Sequence, residues 1–238
     1  MMINKKRIAI IIIIGFLAVL CIFILHYHPA QNEATKYLSG SENVSVKNTT
    51  NGIMLDGKGN ETAIIFYPGA KVEYISYLPL FSRLAEKGYD CYLVEMPLNY
   101  AFLDTLAANK IIDNTNYSNY FISGHSLGGA MASSYENTTN KTDGLIFLAA
   151  YPMDEVYKPC LFIRGSHDGI LNMDNFNKSK DLVKNNCTEV IIDGGNHGQF
   201  GYYGHQTGDN QAKISSEVQQ NQTANEIINF INNIVSNN

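Results

Sequence analysis

An α/β fold, with a mostly parallel central sheet covered by helices on both faces and preceded by one N-terminal transmembrane helix, is what this sequence predicts. Three observations carry it. From Thr62 onward, short uninterrupted apolar stretches alternate with helical periodicity, the pattern of strands buried on both faces. Ahead of them lies an uncharged apolar run, Ile8 to Leu25, entered through Lys5, Lys6 and Arg7. The chain has 238 residues, 45% hydrophobic and 16% charged. Without the apolar run roughly 200 residues remain, enough for the core of one domain.

At about 1.5 Å rise per residue the run makes a helix of about 27 Å, close to the roughly 30 Å of bilayer hydrocarbon. The positive residues stand before it and none immediately follow, so the N-terminus should be cytoplasmic and the rest exported. The run is long for a cleavable signal and meets His26-Tyr27-His28-Pro29, which favours an anchor over secretion after cleavage. This divides the chain into a cytoplasmic N-terminus (1–7), an anchor (8–28), a polar tether (29–42) and a globular domain (43–238). Only 3 of the 17 Lys and Arg precede the first acid, yet the 22 acids outnumber the remainder and no basic stripe forms. Nucleic acid is therefore excluded as a partner.

Within the domain, Val44 to Lys47 and Ile53 to Leu55 read as two strands joined by the turn-rich Asn48 to Gly52. Thr62 to Tyr67 is an apolar strand ending at Pro68-Gly69. Tyr77 to Lys87 is an amphipathic helix, with Ser76 as N-cap and Gly88 closing it. A strand Asp90 to Glu95, a helix Ala101 to Ile112, a strand Tyr120 to Ser123 and a helix Leu127 to Tyr135 follow. Strands Gly144 to Ala149 and Cys160 to Arg164, a helix Phe176 to Lys184, a strand Glu189 to Ile192 and a helix Ala224 to Val235 complete the pattern. Cys160 and Cys187 precede the last two strands. If those strands pair in parallel, the two thiols come close enough for a disulfide outside the cytoplasm, with two reduced buried thiols as the alternative.

Gly124-His125-Ser126-Leu127-Gly128 joins an apolar strand to a helix rich in small residues. A sharp strand-to-helix turn holds a serine in a strained conformation, and the glycines let neighbouring backbone approach. A serine hydroxyl needs a base to take its proton, and the base needs an acid to fix its tautomer. Two later loops supply both in order. Arg164-Gly165-Ser166-His167-Asp168-Gly169 and Asp193-Gly194-Gly195-Asn196-His197-Gly198 each follow an apolar strand, and an open α/β sheet gathers its site at strand carboxyl ends. Ser126, Asp168 and His197 are thus the candidate nucleophile, acid and base.

Rival groups are present. His125 is the variable residue of the turn and its ring should point away; His167 and His205 read as loop histidines. Asp154 and Glu155 could supply the acid from an earlier strand, whereas Asp193 reads as a strand-end acceptor. Backbone N–H groups for a developing oxyanion are expected from Leu127 and from Ala70 in the Pro68-Gly69-Ala70 turn, with Lys71 nearby. No metal-ligand spacing occurs and no cofactor is implied.

With these blocks in place, the chain resembles the α/β-hydrolase superfamily, in particular its small dienelactone-hydrolase-like bacterial branch. The matching segments are Tyr67 to Val72, Glu95 to Asn99, Gly124 to Ala132, Arg164 to Asp168 and Gly194 to Gly201. The resemblance implies the same roles for Ser126, Asp168 and His197, and an oxyanion hole from Ala70 and Leu127. It departs at Ser126, where dienelactone hydrolases proper carry cysteine, and at Ala70, where relatives often have glycine. Only Ala150 to Pro159 separate two strands between which many members insert a cap, so no cap domain is expected and the site should be open. The function expected is a membrane-anchored, exported serine hydrolase of small-molecule carboxylic esters, acting through an acyl-enzyme. Peptidase, thioesterase and acyltransferase chemistry use the same triad, and a non-catalytic binding protein could use the same fold.

Overall fold

A computed structural model describes residues 7, 9–16, 26–59 and 61–236. The expected cytoplasmic segment and the expected span fall largely outside them: residues 1–6, 8 and 17–25 are not described, while 9–16 are helical and exposed. Among the described residues no helix is long and apolar enough to cross a membrane.

Among the described residues eight strands form one sheet: β1 (Val44–Thr49), β2 (Gly52–Gly57), β3 (Thr62–Tyr67), β4 (Asp90–Val94), β5 (Asn119–His125), β6 (Gly144–Leu148), β7 (Cys160–Gly165) and β8 (Cys187–Ile192). Their order is β1-β2-β4-β3-β5-β6-β7-β8. The pairs β1/β2 and β2/β4 are antiparallel, and all others are parallel. The chain lays β4 on one side of β3 and then crosses to place β5 on the other, so the order reverses beside β3. Ligand crevices of open α/β sheets form at such a point.

Among the described residues from 26 onward the α-helices are α1 (Asn32–Thr35), α2 (Leu78–Ala85), α3 (Asn109–Ile112), α4 (Leu127–Thr139), α5 (Met173–Ser179) and α6 (Ser216–Val235). Every residue of β3, β4 and β6 is buried, because α2 and α6 cover one face and α4 and α5 the other. That double burial is why these strands are continuous apolar runs instead of alternating ones. Residues 149–159, between β6 and β7, carry no inserted domain.

Cys160 and Cys187 are direct partners across β7 and β8 and form a disulfide, with Cα atoms 4.4 Å apart. Cys91 is buried in β4, and burial pushes its thiol pKa well up.

Four expectations need correction. The anchor does not extend to residue 28 and residues 29–42 are no loose tether: His28 pairs with Val72, Ala30 N–H donates to Glu73 Oε2 at 2.8 Å, Gln31 N–H to the Tyr202 carbonyl at 2.9 Å, and Ala34 is fully buried. The docking is made mainly by main-chain hydrogen bonds, which hydropathy does not register. The helix read from Ala101 to Ile112 is broken into a 3-10 turn, Ala101–Leu103, and α3. The buried Tyr67 hydroxyl is the wedge. It donates to the Thr105 carbonyl at 2.8 Å and accepts from Ala108 N–H at 2.9 Å, taking both groups from any helical ladder. Ser76 is not the cap of α2, because a 3-10 turn, Tyr74–Tyr77, precedes that helix and Tyr77 occupies the cap position.

Candidate active site

Ser126 sits between β5 and α4 at φ 53° and ψ −122°, left-handed territory that a side chain enters only under constraint. The glycines around it are required by contact. A Cβ on Gly128 would lie 2.2 Å from the Tyr67 carbonyl oxygen, and one on Gly124 would lie 2.3 Å from the Gly128 carbonyl carbon. The turn is thereby pressed against the end of β3. Ser126 N–H donates to the Leu148 carbonyl at 2.9 Å, fixing the turn to β6 as well.

His197 follows β8 and is 1% exposed. Its Nδ1 pairs with Asp168 Oδ2 at 2.9 Å. The carboxylate's other oxygen accepts from Ile170 N–H and Leu171 N–H, both at 2.8 Å. With Nδ1–H donating to the acid, the lone pair of Nε2 is left as an acceptor, and this buried nitrogen has no partner among the described residues. Ser126, Leu127 and His197 line one cavity of about 250 Å³, with Tyr151, Met153, Ile170 and Leu171 among its other walls. The structure therefore brings Ser126, Asp168 and His197 together.

Of the expected oxyanion groups, Leu127 lines this cavity and Ala70 stands in the loop after β3. Leu127 is the first residue of α4, where an N–H has no intrahelical acceptor. Ala70 lies between two engaged donors: Gly69 N–H goes to Tyr77 Oη at 3.2 Å and Lys71 N–H to the Asn99 carbonyl at 2.8 Å. The rival acids are occupied elsewhere. Asp154 accepts from the Ser134 hydroxyl, Glu155 from Tyr157, and Asp193 from the Ser166 hydroxyl at 3.1 Å. Among the described residues no group of three His, Cys, Asp or Glu side chains is placed to hold a metal ion.

Two residues of the site escaped the sequence reading. His125 does not simply turn away; its buried ring packs 4.6 Å from the His197 ring. Its Nε2–H donates to the His197 carbonyl at 3.1 Å, and its Nδ1 accepts from the Tyr77 hydroxyl at 2.8 Å. The carbonyl can only accept, which fixes the tautomer and rules the ring out as the serine's base. Burial first, then the neighbouring His197, hold its pKa well below the ordinary histidine value, although its bond to the His197 carbonyl opposes this. Burial likewise raises the pKa of Tyr77. Asp209 is the second. Its Oδ1 accepts from Gly169 N–H at 3.0 Å, Asn210 N–H at 2.9 Å and His197 N–H at 3.3 Å, and its Oδ2 from Gly198 N–H at 2.8 Å. One carboxylate thus clasps the acid loop to the histidine loop. An acid between Gly208 and Asn210 reads as an ordinary turn residue, so spacing gave no signal for it.

Residues 63–221 match the family model described as the alpha/beta hydrolase family. The chain belongs to the alpha/beta hydrolase family. Solved structures share its fold. A predicted CIB-like hydrolase from Thermoplasma acidophilum is 13% identical with a TM-score of 0.62, over 80% of this chain and 99% of that one. A dienelactone hydrolase from Anabaena variabilis is 12% identical with a TM-score of 0.59, over 79% of this chain and 99% of that one. A thermophilic esterase from Thermogutta terrifontis is 13% identical with a TM-score of 0.56, over 81% and 93% of the two chains. No curated protein matches this hydrolase in sequence.

Proposed function

We propose that this hydrolase is a serine esterase, anchored in a membrane by the uncharged run Ile8 to Leu25 with its catalytic domain outside the cytoplasm. The observation that carries the chemistry is the open Nε2 of His197, which lines one cavity with Ser126 while Nδ1 is held by Asp168. Ser126 Oγ attacks the ester carbonyl and its proton passes to Nε2. Asp168 stabilises the imidazolium, and the N–H groups of Leu127 and Ala70 receive the oxyanion. Collapse breaks the C–O bond, the departing alkoxide takes the proton from His197, and an acyl-Ser126 remains. Water, deprotonated by the same nitrogen, then releases the acid and restores the serine. The esterase among the structural neighbours supports the substrate class, and the Cys160–Cys187 disulfide supports an oxidising compartment.

The test is labelling by a serine-reactive fluorophosphonate together with turnover of a graded series of acyl esters. Ser126→Ala should abolish labelling, and Ser126→Ala and His197→Ala should each lower turnover by several orders of magnitude. Full turnover in Ser126→Ala would remove the serine mechanism.

A further inference from the structure

The chain enters the domain at the catalytic edge of the sheet. His28 pairs in parallel with Val72, its N–H donating to the Lys71 carbonyl at 2.6 Å and its carbonyl accepting from Glu73 N–H at 3.1 Å. Val72 lies in the loop that follows β3 and carries Ala70, and that loop is bound in turn to Asn99 through Lys71 N–H. The uncharged run ends at Leu25, three residues before His28, and three residues span at most about 11 Å. An anchor ending there holds this edge, not the opposite one, close to the bilayer surface.

That same edge is where exposed apolar side chains gather. Leu98, Phe102, Leu103 and Leu106 are 51%, 52%, 47% and 45% exposed, all in the segment after the carboxyl end of β4. Met153, 60% exposed, stands after β6 on the rim of the Ser126 cavity. Around these side chains the charges are Asp104, which pairs with Lys110 at 2.7 Å, Glu73, which accepts from Ala30 N–H, Lys71 and an exposed Glu95, while the segments after β6, β7 and β8 add Asp154, Glu155, Asp174 and Asp193 to the same edge. Tyr27, at the end of the run, is 42% exposed, the kind of residue that settles at a membrane interface.

We propose that the carboxyl edge of the sheet, with Ser126 at its centre, rests against the lipid bilayer and that the esters it takes are membrane-resident acyl lipids. This rests on the anchor and esterase readings above. A leucine- and phenylalanine-bearing rim seated in the headgroup region leaves the cavity open toward the acyl chains, and no lid is needed to shield it from water. Ester carbonyls of lipids lie at that depth.

The chain contains no tryptophan, so one introduced at an exposed position is a unique reporter. The full-length protein in phosphatidylcholine vesicles is examined as Phe102→Trp and as Lys58→Trp; Lys58 follows β2 at the opposite edge, where β3 begins. Lipids brominated in the acyl chain should quench Phe102→Trp by roughly twofold or more and leave Lys58→Trp unchanged, because an interfacial side chain sits about 5–10 Å into the boundary. Flotation with the vesicles but no quenching at position 102 would overturn the docking and leave the anchor standing. Failure to float would overturn the anchor and the docking with it, and equal quenching at both positions would show unspecific adsorption and refute the orientation. Methylumbelliferyl oleate placed in the protein's own vesicles should also turn over at least several-fold faster than in separate vesicles; equal rates would overturn lipid-side access. Fluorophosphonate labelling of the same samples reads the serine mechanism independently of all these outcomes.

Discussion

Asp209 offers the sharpest test of how the site is assembled. Its carboxylate receives four backbone N–H groups, two of them from His197 and Gly198 and one from Gly169 beside the acid. Hydrogen bonds to a charged group contribute about 1.5–3 kcal/mol each. Here the residue is half-buried and one bond is long at 3.3 Å, so the four together are expected to stabilise by about 2–4 kcal/mol. For a domain of roughly 200 residues the unfolding entropy is about 0.4 kcal/mol per degree, so Asp209→Ala should lower Tm by about 5–10 °C. Loosening the loop also lets the His197 ring drift, and about 1 Å of misplacement costs around 10²-fold. At a temperature well below the variant's Tm, kcat on a short-chain ester should fall about 10–100-fold. KM should hold, because Asp209 does not line the Ser126 cavity. Asp209→Asn should lie between, since its carbonyl can keep the Oδ1 contacts while its amide turns a donor toward Gly198 N–H. Native kcat alongside the expected loss of Tm would show the carboxylate to be structural only, and an unchanged Tm would refute the clasp itself.

Removing the disulfide by Cys160→Ser with Cys187→Ser frees a loop with a sequence separation of 27. The loop-entropy estimate of about 3.5 kcal/mol predicts a Tm lower by about 8 °C, measured by calorimetry against the parent, with no change expected in the reduced protein pair. His125 should make the fold acid-sensitive. Its folded pKa lies well below the ordinary 6.5, so the unfolded chain binds the proton first and stability falls with pH below about 6.5, by up to about 1.4 kcal/mol per unit. His28 is shifted in the same direction, whereas the raised carboxyls of Asp90 and Glu136 act with opposite sign. Denaturant titrations between pH 5.5 and 6.5 should therefore show a slope that His125→Gln flattens, and an identical slope in the variant would place its origin elsewhere. Gly128→Ala puts a methyl 2.2 Å from the Tyr67 carbonyl oxygen, backbone against backbone, and should cost more than about 4 kcal/mol, read as loss of folded yield or of Tm.

What the sequence discloses and what it withholds divide along one physical line. The strands β3 to β8 are legible because they are buried on both faces or end in glycine loops, and each of those properties is written in consecutive residues. The three loops carrying Ser126, Asp168 and His197 are legible for the same reason, since the strands locate their carboxyl ends. What stays hidden is decided by single polar atoms reaching across the chain. Nothing near residue 105 announces that a hydroxyl at position 67 will divide the helix there. Nothing near residue 30 announces that Glu73 and Tyr202 will capture its backbone. The ring of His125 belongs to this class too, because its partners at Tyr77 and His197 are 48 and 72 residues away.

The contacts of the His125 ring serve one purpose at the site. Gly69 N–H donates to Tyr77 Oη, Tyr77 O–H to His125 Nδ1, and His125 Nε2–H to the His197 carbonyl. The chain joins the turn bearing Ala70, the serine turn and the histidine loop through one buried line of donors. A line of this kind works only when every member is satisfied, because an unpaired buried group costs more than a made bond contributes. Protonating His125 would set an N–H at Nδ1 against the Tyr77 hydroxyl proton, while Gly69 N–H already occupies the other side of that oxygen. Acid therefore breaks the line at its middle, and the first thing released is the constraint on the loop that carries His197. His125→Gln, which offers an amide oxygen to Tyr77 and an amide donor to His197, keeps the line made in acid and should remove this sensitivity of the fold.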